Sequence, residues 1–311
     1  MNNRIYVGLM CVALFLCSVW AGYTFVPRKA EPPAPIAAVV AQEDPFKSLE
    51  LQAHAVFVWD VPEEKVLFAS HEEVQLPLAS LTKVMTALLA AEELLPDTLV
   101  KINGDAIRQE GDSGFLAGEL WRLQNLIDLT LVTSSNDGAF ALASAVSALP
   151  PRDTTVVPVS FSERMNAKAQ EIGMRQTFFI NPSGLDVHEG VSGSYGSAKD
   201  FALLLEYVIR NHPTLLEATE RASITTSSES GKKHTGKNTN EFVESIPGIL
   251  ASKTGTTDLA GGNLAIVFEI APLHPVIAVV LGSTADGRFD DVKRIVDAVV
   301  ESYRINLLVS P

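Results

Sequence analysis

Leu78-Ala79-Ser80-Leu81-Thr82-Lys83-Val84-Met85-Thr86-Ala87-Leu88-Leu89-Ala90 is the stretch around which this chain is organised. Pro77 precedes it, and from Ser80 onward good helix formers place apolar residues at helical spacing, so a helix opens at or just before Ser80. Positions i and i+3 share a helix face, which points Ser80 and Lys83 the same way. A serine hydroxyl is a poor nucleophile at neutral pH and needs a base beside it. An amine serves when burial or neighbouring positive charge disfavours its ammonium form. The helix N-terminus adds partial positive charge and free backbone N–H groups where an oxyanion would form. The same four residues also read as a helix cap followed by a surface lysine, and alone they decide nothing.

Composition narrows the function classes. At 311 residues and 47% hydrophobic, the chain buries a full core, in one large domain or two. A formal net charge of −13, from 37 acidic and 24 basic residues, argues against a nucleic-acid partner, because phosphate binding needs a basic face. Both cysteines, Cys11 and Cys17, lie in the N-terminal apolar run, which leaves no disulfide and no thiolate metal site beyond it. The histidines at 54, 71, 188, 212, 234 and 274 show no paired ligand spacing, which argues against a zinc site.

From Ile5 to Val26 the sequence is uncharged and mostly apolar, closed by Pro27-Arg28-Lys29, and it is long enough to span a bilayer. Residues 1–29 are read as a transmembrane anchor, with a cleaved signal peptide as the alternative; Val19-Trp20-Ala21 is a poor cleavage site because it contains a tryptophan. Arg28 and Lys29 outweigh Arg4, which runs against an outward orientation of the remainder of the chain. Residues 30–45, rich in Pro and Ala, read as a semi-extended linker, 46–305 as the globular domain and 306–311 as a tail.

Within that domain, His54 to Asp60 and Lys65 to Ser70 form a predicted hairpin across Val61-Pro62-Glu63-Glu64. From about Leu116 to Leu149 the pattern is helical, broken at Thr133-Ser134-Ser135-Asn136-Asp137-Gly138, where a polar break either aims side chains into a cleft or is a plain helix–helix turn. Phe161 to Ile172 is an amphipathic helix ending at Gly173, and Ser197-Ala198-Lys199-Asp200 resembles a capping box for a helix to about Arg210. Ser223 to Asn240 is polar and reads as a surface excursion. Gly248 to Thr257 reads as a strand, and Leu264 to Ile270 and Val276 to Ser283 as a hairpin. Phe289 to Tyr303 is a closing helix.

Three short motifs therefore stand in a fixed order: Ser-x-x-Lys at 80–83, Ser-x-Asn at 134–136 and Lys-Thr-Gly at 253–255. In this order, with flanks Asn181-Pro182-Ser183-Gly184-Leu185-Asp186 and Asn238-Thr239-Asn240, the chain resembles the serine penicillin-recognising superfamily. Within it, the sequence is most similar to low-molecular-mass penicillin-binding proteins of the D-alanyl-D-alanine carboxypeptidase type, from about Phe46 to Tyr303. Ser135 and Gly138 depart from the Gly or Ala, and the Ala, usual there. No Glu-x-x-Leu-Asn segment of the class A β-lactamase kind occurs.

The resemblance implies an α/β (α+β) fold, β-lactamase/DD-peptidase-like: an antiparallel sheet flanked by helices, built from the N-terminal hairpin and the strands from Gly248 onward, with a helical lobe between. It implies that Ser80 attacks the carbonyl between two D-alanines, that Lys83 takes the hydroxyl proton, and that Ser134 bridges Lys83 and Lys253 and passes the proton to the leaving amine. Asn136 would hold the substrate amide, and Lys253 and Thr254 the terminal carboxylate. Gly255 would let the strand approach the substrate, and Thr256 would share the oxyanion with Ser80 through backbone N–H groups. Asp137 is expected to be structural, and His188 and His234 to lie on the surface. The implied partners are the peptidoglycan pentapeptide and β-lactams as covalent inhibitors, with no cofactor, no metal and the N-terminal segment in the membrane. The implied place is the cell envelope, on the outer face of the cytoplasmic membrane. An endopeptidase of the same family, or a weakly catalytic peptidoglycan-binding relative, remains the alternative.

Overall fold

The computed structural model describes residues 44–111, 113–150 and 159–309. The run Ile5–Val26 and nearly all of the linker lie outside them. In chain order, β1 (Ala55–Asp60) and β2 (Lys65–Ser70) form a hairpin, β3 (Leu76–Pro77) leads into a 3-10 turn over Ala79–Thr82, and helix α1 (Lys83–Glu93) comes next. Strands β4 (Leu99–Lys101) and β5 (Leu120–Arg122) precede helices α2 (Leu123–Thr133), α3 (Asn136–Ser147) and α4 (Phe161–Ile172). After these come β6 (Phe178–Phe179), β7 (Ser194–Gly196) and α5 (Ala198–Asn211), then the hairpin β8 (Ser223–Ser227) and β9 (Lys233–Lys237). Strands β10 (Ile249–Thr257), β11 (Gly261–Glu269) and β12 (Pro275–Ser283) and helix α6 (Gly287–Val309) close the chain.

The main sheet has the order β10-β11-β12-β1-β2, and the pairings within it are antiparallel. Its central strands read as nearly unbroken apolar runs because both faces are covered. Ala55, Phe57, Val267, Ile277, Val279 and Leu281 face one way, into the core shared with α1, α2, α3 and α5. Val56, Val58, Ile266, Phe268, Ala278 and Val280 face the other way, against Phe289, Val292, Ile295, Val296 and Val299 of α6. Burying each large side chain of this kind contributes about 1.5–3 kcal/mol. The sheet, its composition from chain-distant strands and the helical lobe between them match the expected fold.

Local chemistry sets the helix ends. Ser160 Oγ accepts from the Glu163 N–H at 3.2 Å while the Glu163 carboxylate accepts from the Ser160 N–H at 2.6 Å, a reciprocal cap for α4. Gly173, at φ 94°, ends that helix in the left-handed region that glycine adopts without a Cβ clash. Ser197 Oγ caps α5 by accepting from the Asp200 N–H at 3.1 Å.

Three sequence expectations are corrected. The region from Leu116 is not helical at its start: Leu120–Arg122 is a strand paired with Leu99–Lys101, and the helix begins at Leu123. Trp121 is fully buried there, and tertiary packing overrides the helical spacing of Leu116, Leu120 and Leu123. Ser223 to Asn240 is more than a surface excursion. It is the β8–β9 hairpin, whose β9 alternates exposed and buried residues and continues into the buried Asn238 and Asn240. The closing helix is also longer at both ends than Phe289 to Tyr303.

Candidate active site

The three motifs arrive from three different parts of the fold. Ser80 sits in the 3-10 turn that opens α1, Ser134 and Asn136 lie at the α2–α3 junction, and Lys253 to Thr256 end the edge strand β10. Ala79, just before the serine, has φ 49°, a conformation that costs a non-glycine residue energy and must be held by its surroundings. Thr82 Oγ1 donates to the Ala79 carbonyl at 2.7 Å, and Gly184 lies against it so closely that a Cβ there would stand 1.8 Å from that oxygen.

Lys83 is fully buried, with Nζ 2.6 Å from Ser80 Oγ and donating to the Ser183 carbonyl at 2.8 Å. Burial, and then the nearby Lys253 charge, hold its amine well below the usual lysine value. The segment that supplies the Ser183 carbonyl is itself tied down. Asn181 Oδ1 accepts from the Ser183 and Gly184 N–H groups, and Thr86 Oγ1 of α1 donates to the Pro182 carbonyl at 2.6 Å.

Ser134 ends α2 in the left-handed conformation, φ 58°, and its Oγ accepts from Lys253 Nζ at 2.8 Å. The expected bridge is thus made on one side: the Lys83 amine reaches Ser80 and Ser183, and the Ser134 hydroxyl belongs to Lys253. Ser135 caps α3 by accepting from the Gly138 N–H at 3.0 Å. Gly138 is required by packing, because a Cβ there would lie 2.0 Å from Thr130 Oγ1. Asn136 Nδ2 donates to the Glu110 carbonyl at 2.7 Å, and its buried Oδ1 has no hydrogen-bond partner among the described residues. Asp137 is buried.

Lys253 is buried too, and its Nζ donates to the Thr254 carbonyl as well as to Ser134. Burial and then Arg288 lower its pKa to about 7. Thr254 Oγ1 pairs with Thr239 Oγ1 at 2.6 Å. A Cβ at Gly255 would meet the Leu78 carbonyl at 2.8 Å and the Ser80 nitrogen at 3.2 Å. The bare backbone there admits the nucleophile's own turn. Thr256 is exposed, and its Oγ1 accepts from Arg288.

Arg288 was not legible as a site residue. It lies in the first turn of α6 and donates to the Gly255 carbonyl at 2.9 Å. A cation there opposes the helix dipole, and that misfit is the one sequence signal that marks it. His188 is exposed as expected, but His234 is not. Its ring is buried against Trp121 and Phe115, with Nε2 3.2 Å from Glu119 Oε1. The alternation of β9 turns it inward.

A family model described as D-alanyl-D-alanine carboxypeptidase matches residues 37–285, and the chain belongs to that family. It is 30% identical over 237 residues to the D-alanyl-D-alanine carboxypeptidase DacB2 of Mycobacterium tuberculosis, covering 76% of this chain and 77% of that one. Over 278 residues it is 28% identical to a D-alanyl-D-alanine endopeptidase of Escherichia coli, covering 87% and 82%. Among solved structures, penicillin-binding protein D2 from Listeria monocytogenes in its ampicillin-bound form matches with a TM-score of 0.65 and 30% identity, over 80% of this chain and 98% of that one.

Proposed function

We propose that this chain is a serine DD-carboxypeptidase that removes the terminal D-alanine from peptidoglycan stem peptides and is acylated by β-lactams at Ser80. The observation that carries the reading is the buried amine of Lys83, 2.6 Å from Ser80 Oγ and held below its usual pKa by burial and by Lys253. Ser80 Oγ bonds to the carbonyl carbon between the two D-alanines as Lys83 takes its proton. The carbon–nitrogen bond then breaks, and the proton reaches the departing amine through Ser134, whose oxygen Lys253 holds. The backbone N–H groups of Ser80 and Thr256 receive the oxyanion. Asn136, whose Oδ1 meets no partner among the described residues, holds the substrate's backbone amide. Lys253 and Thr254, with Gly255 and Thr256 beside them and Arg288 behind, face the terminal carboxylate. Water hydrolyses the acyl-enzyme.

A second reading, cleavage of cross-linked peptides, is favoured by the endopeptidase relative at nearly the same identity as the carboxypeptidase. Digestion of purified monomeric and cross-linked muropeptides separates the two. Loss of D-alanine from pentapeptide monomers is the expected result, and cleavage confined to dimers would replace the first reading with the second.

The substrate lies outside the cytoplasmic membrane, so the catalytic domain, 46–305, works in the cell envelope. Among the described residues no helix is long and apolar enough to cross a membrane. The uncharged, mostly apolar run Ile5–Val26 is the proposed anchor, with 30–45 as its tether. N-terminal sequencing of the mature protein checks this: a start upstream of Ile5 supports the anchor, and a start near Gly22 replaces it with a cleaved signal.

A further inference from the structure

Ala79, directly before the nucleophile, holds φ 49° and is fully buried. The peptide that joins it to Ser80 is a rigid planar trans unit, in which the Ala79 carbonyl and the Ser80 N–H point in opposite directions. Whatever fixes the carbonyl therefore aims the N–H. In the proposed reaction that N–H is one of the two oxyanion donors. The Ser80 nitrogen lies against β10, 3.2 Å from where a Cβ on Gly255 would stand.

A side chain fixes that carbonyl. Thr82 Oγ1 donates to it at 2.7 Å, and Ser194 Oγ is hydrogen-bonded to the same threonine oxygen. A hydroxyl carries a single proton. Thr82 gives its proton to the Ala79 carbonyl, so Ser194 is the donor to Thr82. The relay thus has a direction, from Ser194 to Thr82 to Ala79, and hydroxyls in series polarise one another and strengthen the last bond. Thr82 and Ser194 are both fully buried, out of reach of bulk water.

Ser194 stands on firm backbone. It opens β7, the middle strand of the small sheet β3-β7-β6, and pairs there with Phe179. Its carbonyl accepts from the Leu78 N–H at 3.2 Å, so the residue holds the nucleophile's turn on both sides of Ala79. Gly184 closes a further side, where a Cβ would stand 2.5 Å from Thr82 Oγ1. Packing of this kind limits how far the carbonyl moves. Its direction is set by the hydrogen bond, which weakens steeply as it bends.

We propose that Ser194 is a positioning residue: acting through Thr82, its hydroxyl orients the Ala79–Ser80 peptide so that the Ser80 N–H is aimed at the oxyanion before the substrate arrives. The proposal rests on the reading of Ser80 as an acylated nucleophile. Donors aimed in advance at developing charge stabilise the transition state more than the bound substrate. Loss of that aim should slow the chemical step and spare binding.

Stopped-flow acylation of the full chain by benzylpenicillin separates the two effects, giving the dissociation constant of the first complex and the rate constant of acylation. Ser194→Ala should lower the rate constant about tenfold and leave the dissociation constant within about twofold. Ser194→Cys, close in size but a weaker donor, should lose about threefold, and it carries the test if Ser194→Ala does not fold. Thr82→Val keeps the shape without the hydroxyl and should lower the rate constant about a hundredfold. Adding Ser194→Ala to Thr82→Val should cost at most about a further twofold, because the relay is already cut. An unchanged rate constant in the folded variants, a loss carried by the dissociation constant, or fully additive losses with Thr82→Val would overturn the positioning role. A wild-type chain that benzylpenicillin does not acylate would remove the reading of Ser80, and this inference with it.

Discussion

Lys83 and Lys253 are two buried lysines, and each gives a prediction. Arginine keeps the length and charge of Lys83 but does not deprotonate in proteins. Lys83→Arg should therefore lower β-lactam acylation by about 10³-fold or more while the circular dichroism spectrum stays that of the wild type. The Lys253 pKa of about 7 lies below its ordinary value of 10.5. Between those values the unfolded chain binds the extra proton, so stability rises with pH across that window and is lowest on its acid side. Lys253→Met should remove up to about 1.4 kcal/mol per pH unit of that slope, read from thermal unfolding between pH 7.5 and 9.5. Ser80 and Lys83 were legible because i,i+3 spacing on a helix is local geometry, and Lys253 because strand ends carry small polar residues. Arg288 and His234 were not, since their meaning lies in contacts with Thr256 and Glu119 far along the chain.

At the scale of elements, glycines set how closely the pieces meet. Gly255→Ala would drive a Cβ to 2.8 Å from the Leu78 carbonyl and push β10 off the Ser80 turn. Acylation should fall about a hundredfold, because small displacements of reacting groups are costly, while the unfolding midpoint moves little. Gly184→Ala meets both φ 78° and the Ala79 carbonyl at 1.8 Å, with Thr82 Oγ1 at 2.5 Å. It should cost about 3 kcal/mol or more in chemical denaturation. The hairpins at either end of the domain, helix α4 with its end at Gly173 and the Ser197 cap of α5 were legible, because turn chemistry and capping are written in adjacent residues. The β4–β5 pair was not, because three-residue strands have no periodicity of their own, and Trp121 goes inward for packing reasons.

Across the whole molecule, α6 ties the site to the opposite end of the sheet. Arg288 in its first turn touches β10, while Tyr303 near its far end donates to the fully buried Asp60, which His274 Nε2 also meets at 3.0 Å. Tyr303→Phe should lower stability by about 2 kcal/mol in urea denaturation and leave penicillin acylation within about twofold. The order of the sheet was legible only through the motif trio, which joined the N-terminal hairpin to strands some 200 residues later. The central claim is that Ser80 is the nucleophile of a penicillin-recognising enzyme. Incubation of the domain with a labelled penicillin, then mass spectrometry of its peptides, tests that most directly. A single adduct on the peptide containing Ser80, absent from Ser80→Ala, is the result expected; no adduct, or one that survives Ser80→Ala, would contradict it.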